Sequence, residues 1–129
     1  MDSKGFLFVT DTWNNRIQVF DPDGNFVRAF GEQGVAPGMF IRPKGIAFDP
    51  EGHLYVADAE FNNFQILTAE GQPLLAVGGF GVDPGQFVLI AGIAVDKNNR
   101  IYVTQQWRSR VQIFEYLPEK PADTQAKRD

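Results

Sequence analysis

Residues 9–24, VTDTWNNRIQVFDPDG, place an aspartate, a tryptophan, two asparagines and an arginine between two apolar runs. The types suit a reactive site, and they suit equally an ion pair that holds a loop. The remaining sets that could do chemistry fail on spacing. DPDGN from Asp21, with Glu32 eleven residues on, has the acids of a calcium loop, but Gly24 falls fourth instead of sixth and the same residues serve as a hairpin turn. His53 is the only histidine, and a lone histidine at a strand entry reads as a solvated edge residue. There is no cysteine, no Ser/His/Asp set and no phosphate-cradling glycine loop. No catalytic residue, metal or cofactor is implied.

The 129 residues, 43% of them hydrophobic, suffice for one globular unit. A net charge of −4 gives no general attraction to nucleic acid or to an anionic membrane. No apolar run approaches the roughly 20 residues of a bilayer-spanning helix, and the start MDSKGFLFVTD lacks the pattern of an export signal. The compartment is left open.

What must position these residues is a repeat. RPKGIAFDPEGHLYVADAEFNNFQIL from Arg42 matches LIAGIAVDKNNRIYVTQQWRSRVQIF from Leu89, 47 residues later. The same offset relates Val9, Val56 and Val103, and likewise Gln18, Gln65 and Gln112. It also carries Gly31, Gly34, Pro37, Gly38 and Phe40 onto Gly78, Gly81, Pro84, Gly85 and Phe87 without a gap. One period holds four short apolar runs, GIAFD (a), LYVAD (b), FQILT (c) and PLLAV (d), parted by turns such as DPEG. Four antiparallel strands per 40-odd residues predict a β-propeller blade. Gly45, Ala47, Gly92 and Ala94 suit innermost strands crowded at an axis. The links GEQGVAPGMF and GGFGVDPGQF would carry the chain from strand d to the next strand a, with Phe40 and Phe87 as anchors between blades.

VTDTWNNRIQVFDPDG followed by GxxGxxxPGxFxxPxGIAxD resembles the NHL-repeat β-propellers over residues 2 to about 117. The expected fold is therefore all-β, an incomplete NHL-type propeller of four-stranded antiparallel blades. Blade fragments fall at 1–31, 42–78 and 89–117, joined by Gly/Pro loops, and the Pro-bearing, charged residues 118–129 read as a disordered tail. Three, four and three strands make about two and a half blades, too few to close a ring of four to eight. The chain then reads as part of a longer propeller, with edges that remaining blades or self-association would cover. Homodimerisation is a poor remedy, because merging the end blades would set strands a, b, c against b, c, d and duplicate two of them.

The resemblance implies structural roles for Asp11, Asn14 and Arg16: acid and arginine pair across the b-to-c connection, and the asparagine adopts a turn conformation. The other repeats break this pair. Asp58 faces Asn63 and Arg110 faces Gln105, so Asp58 and Arg110 become candidates for contacting something else. In a propeller the b-to-c and d-to-a connections share a face. Trp13 and Trp107 share a repeat position there, with Phe61 one place further on in the middle repeat. Tryptophan is costly to leave in water, and Trp and Arg are over-represented in interface hot spots. With Gln105, Gln106, Arg108, Arg42 and Lys44 these residues predict a polar-rimmed aromatic surface for a protein or peptide partner on a non-enzymatic scaffold. Two alternatives remain. A fragment of an enzyme resembling the amidating lyases or lactonases would keep its catalytic groups in missing blades, and the histidine-bound zinc of the former cannot be assembled from this stretch. An RNA-binding module is disfavoured, because Asp11, Asp58, Glu60, Glu32 and Asp83 offset Arg42, Lys44, Arg108 and Arg110.

Overall fold

A computed structural model describes residues 1–117; the segment 118–129, expected to be disordered, lies outside the described residues. Among the described residues ten strands form three separate antiparallel sheets. Blade 1 holds β1 (Leu7–Asp11), β2 (Arg16–Phe20) and β3 (Phe26–Phe30). Blade 2 holds β4 (Pro43–Phe48), β5 (Leu54–Asp58), β6 (Asn63–Leu67) and β7 (Pro73–Gly78) in that spatial order. Blade 3 holds β8 (Ile90–Val95), β9 (Arg100–Gln105) and β10 (Arg110–Glu115). The architecture is the expected partial propeller, and no sheet closes.

The hairpins follow from their turn residues. Gly24, Gly52 and Gly71 take φ between +86° and +96°, conformations open to glycine at no steric cost. Asp21 Oδ1 accepts the amides of Asp23 and Asn25, so the DPDGN stretch is the β2–β3 turn. Asp49 does the same for Glu51 and His53 between β4 and β5. His53 is more engaged than a solvated edge residue: its Nδ1 lies 2.8 Å from Asp49 Oδ2 and its side chain is three-quarters buried, edge-on to Tyr116. The Tyr55 hydroxyl donates to the same Asp49 oxygen, and burial together with that carboxylate pushes its pKa up.

Two apolar layers join the blades. Phe8, Ile17 and Val19 of blade 1 meet Leu54, Val56 and Leu67 of blade 2 around Phe40. Tyr55, Ala57, Phe64 and Ile66 meet Ile90, Ile101 and Val103 around Phe87. Both link phenylalanines are fully buried, as expected of anchors between blades. A Cβ on Gly31, just after β3, would stand 2.8 Å from the Phe40 ring, and one on Gly78, the last residue of β7, 2.9 Å from that of Phe87, so both positions require glycine. At the axis a Cβ on Gly45 would meet the β8 backbone at 2.7 Å, which explains the small residues on inner strands.

Candidate functional site

Each b-to-c connection folds against the link that enters the neighbouring strand a. In blade 1 it is a 3₁₀ turn, Thr12–Asn14, and the hydroxyls of Thr10 and Thr12 donate to the carbonyls of Lys44 and Pro43 at 2.9 and 2.8 Å. Asn15 Nδ2 donates to the Ile41 carbonyl. In blades 2 and 3 the amides of Ala59 and Gln106 donate to the carbonyls of Arg42 and Leu89. The b-to-c turns and the d-to-a links therefore share one face.

On that face Trp13 is 93% exposed. It borders a groove of about 450 Å³ between blades 1 and 2, whose other walls include Ile41, Arg42 and Lys44. Arg42 lies 3.6 Å from Glu60 in an exposed, weak ion pair. A second groove, of about 480 Å³, lies at blade 3 between Val82 and the turn Trp107–Ser109. There the Arg108 guanidinium sits 4.3 Å from the centre of the Trp107 ring, a cation–π geometry that leaves the indole 38% exposed. Arg108 and Ser109 have φ of 59° and 45°. The first two repeats use asparagine, Asn15 and Asn62, for their left-handed residue, whereas blade 3 strains two residues that disfavour it. Gln106 is exposed, and Phe61 is half-buried beside a further groove.

Three of the expected site residues do other work. Asp58 is fully buried and accepts four backbone amides: Ile41 at 2.9 Å, Arg42 at 3.2 Å, Glu60 at 3.0 Å and Phe61 at 3.4 Å. No surface is left for a ligand, so Asp58 is a structural clamp on the incoming link. Arg110 gives Nη2 to the Gln86 carbonyl at 2.8 Å and to Gln105 Oε1 at 3.3 Å, holding the link into blade 3. Gln105 is buried as well, accepting from the Val88 amide and donating to the Trp107 carbonyl. The half-pairs had not lost a structural role; their partners are backbone groups that residue types do not reveal.

In blade 1, Asp11 Oδ2 accepts from Arg16 Nε at 3.0 Å and from Gln18 Nε2 at 2.8 Å. Asn14 Nδ2 donates to Asp11 at 3.0 Å, and the left-handed turn residue is its neighbour Asn15. The hydrogen bonds from Asn14, Arg16 and Gln18 hold the Asp11 carboxyl below its ordinary pKa. Among the described residues no three His, Asp or Glu side chains are grouped to hold a metal ion.

The 6-bladed beta-propeller family DUF5128 matches residues 1–62. No curated protein matches the chain. Similar solved structures include a structural genomics protein of unknown function from Bacteroides thetaiotaomicron, 16% identical with a TM-score of 0.73, over 85% of this chain and 32% of that one. Hydrazine synthase of Kuenenia stuttgartiensis is 17% identical with a TM-score of 0.63, over 86% of this chain and 29% of its own. A streptogramin B lyase is 17% identical with a TM-score of 0.54, over 91% and 39%. The chain thus spans about a third of the length of the solved structures it matches. The expectation of a non-enzyme does not stand, because two of these propellers are enzymes. The want of a catalytic set in one stretch was too narrow a ground for it. At such identities the likeness carries the fold and no reaction.

Proposed function

We propose that the chain is a stretch of an NHL-type propeller whose b-to-c and d-to-a loops bind a protein or peptide partner. The observation that carries this reading is the exposure of Trp13, a large apolar ring beside a groove that Arg42 and Lys44 also line. Trp107, stacked with Arg108 over a strained turn, supplies a second anchor. With Asp58 buried, Asp11 engaged by Arg16 and Gln18 and Arg110 holding the link, the groups that remain to meet a partner are aromatic, with Arg42, Lys44 and Arg108 set among the exposed Glu32, Glu60 and Asp83. A segment bearing an apolar side chain flanked by polar groups of both signs fits them best.

The test replaces Trp13 and Trp107 together by serine and compares capture of proteins from a cell extract with circular dichroism. Captured species should disappear from the double variant while the spectrum stays unchanged. Loss of the spectrum would show that the rings are core, and undiminished capture would remove them from the surface.

The likeness to a streptogramin B lyase favours a second reading, in which the same loops supply part of a catalytic mouth. A streptogramin B turnover assay addresses it. Product above the protein-free rate that disappears in Trp107→Ser would support it, and no product would count against it for this chain.

A further inference from the structure

The two layers between blades differ at one repeat position. Tyr116 of blade 3 packs against the second layer and sets its ring edge-on to His53 of blade 2, with ring centres 5.6 Å apart. The 47-residue offset carries Tyr116 onto Ala69 and His53 onto Phe6, and both of these border the first layer. A methyl group stands there in place of a ring. Beside it opens a cavity of about 340 Å³ between blades 1 and 2, walled on its apolar sides by Phe6, Phe8, Val19, Val27, Phe48 and Ala69. It has the size of a small-molecule site.

A second exchange puts a cation beside this cavity. Leu75, which shares the second layer with Tyr116, corresponds to Arg28 in the first. The Arg28 guanidinium lies 5.7 Å from the centre of the Phe8 ring and 5.4 Å from that of Phe30, and its Nη2 donates to the Ala69 carbonyl at 2.7 Å. Among the described residues no carboxylate lies within ion-pair distance of it. Its other N–H groups remain to donate. Asp2, Asp49 and Glu70 also line the cavity, against Lys4 and Arg28, so the surrounding charge does not favour an anion. Asp2 and Asp49 spend their Oδ1 atoms on turn amides, and Glu70 is exposed. A neutral aromatic ring carrying an oxygen acceptor suits these walls.

We infer that the seam between blades 1 and 2 binds a phenol. Its ring takes beside Phe6 the place that Tyr116 takes beside His53, and its hydroxyl oxygen accepts from the Arg28 guanidinium. The second layer offers no such site. The hollow left there, about 290 Å³ among Phe64, Ile66, Leu75 and Tyr116, has no cation in its lining. The inference is independent of the loop-face reading, because the cavity opens beside the a-to-b turn of blade 2, at Pro50 and Gly52.

The experiment titrates the whole chain with p-cresol, the tyrosine side chain as a free molecule, and follows methyl shifts by NMR. Saturation at one p-cresol per chain is expected, with shifts at Val19, Val27 and Ala69. Toluene, which lacks the hydroxyl, should bind about tenfold more weakly, because the bond from a cationic donor is lost. In Arg28→Leu that preference should vanish. Ala69→Tyr supplies the ring from the chain itself and should abolish binding; because the toluene comparison leaves the protein untouched, the test holds even if either variant folds poorly. N-acetyl-tyrosinamide separates the sources of the phenol. Its binding at the same methyls supports a site for a peptide tyrosine, and its exclusion where p-cresol binds supports a site for a free phenol. No saturable binding, shifts confined to Ile66 and Leu75, or toluene bound as tightly as p-cresol would overturn the inference.

Discussion

Blades 1 and 2 carry the same motif and use it differently. In blade 2 the link from the preceding blade is present, and Asp58 and Gln65 spend their hydrogen bonds on its backbone. In blade 1 Asp11 instead accepts from the side chains of Arg16 and Gln18. Leu54 and Val56 are core, while Leu7 and Val9 face outward. The lesson is that a propeller motif is half of an interface. Its side chains are placed by their own blade, but the neighbouring link decides whether they clamp backbone or close on themselves. Blade 3 shows the mirror case. Val111 and Ile113, equivalent to the buried Phe64 and Ile66, are 55% and 61% exposed on the face where a following blade would pack.

The comparison breaks first, and with the largest effect, at the links. Phe87→Ala should cost about 3–5 kcal/mol in denaturant unfolding, because the ring fills the layer between two blades. Phe40→Ala should match it. A cost below about 1 kcal/mol would mean that the blades are not coupled through these rings.

Next come the paired aliphatics. Leu54→Ala should lose about 2–5 kcal/mol, as buried leucines do. Leu7→Ala should lose less than about 1 kcal/mol, because much of that side chain is already in water. Equal losses would show that something covers blade 1 in solution.

The two aspartates separate by a smaller margin. Asp58→Ala should cost about 2–3 kcal/mol or more, since it strands buried backbone amides without an acceptor. Asp11→Ala should cost little, its partners being able to turn to water. Asp11 nonetheless has a pH signature. Its pKa is lower folded than unfolded, so its stabilisation is complete above the ordinary carboxylate range and is lost as pH falls through the folded value. Asp21, held low chiefly by the Asn25 amide, and Asp96, held low chiefly by the Arg100 amide, act in the same direction. Acid titration of unfolding free energy should therefore decline more gently for Asp11→Asn than for the parent. Identical slopes would show that the cluster does not form.

The smallest effect is the strained turn. Ser109→Asn restores the residue that the other repeats use and should stabilise by about 0.5–1 kcal/mol, read from the unfolding midpoint. If Trp107 depends on that strain for its pose, partner capture should fall at the same time.

Much of this was legible in the residues. The 47-residue period located every strand to within a residue or two, because alternation and Gly/Pro punctuation are local properties. The buried Phe40 and Phe87 and the crowded Gly45 were equally readable from repeat position. The readings of Asp58, Arg110 and Gln105 failed for one reason. Their partners are chiefly backbone amides and carbonyls of the link and of the b-to-c turn, and every residue carries such groups whatever its name, proline's missing amide apart. His53 was underestimated likewise, since its bond to Asp49 closes across a turn and not along a motif.

By itself, then, the sequence determined the strand count, the blade repeat, the glycines that must sit under a ring or at an axis, and the aromatic residues of the loop face. Tertiary structure alone decided which acids are clamps and which pair with their own blade, which aliphatics are core, and which rings stand in solvent. Side-chain type is a property of a position, but burial and hydrogen-bond partnership belong to two surfaces at once, and the second surface is written elsewhere in the chain or outside it.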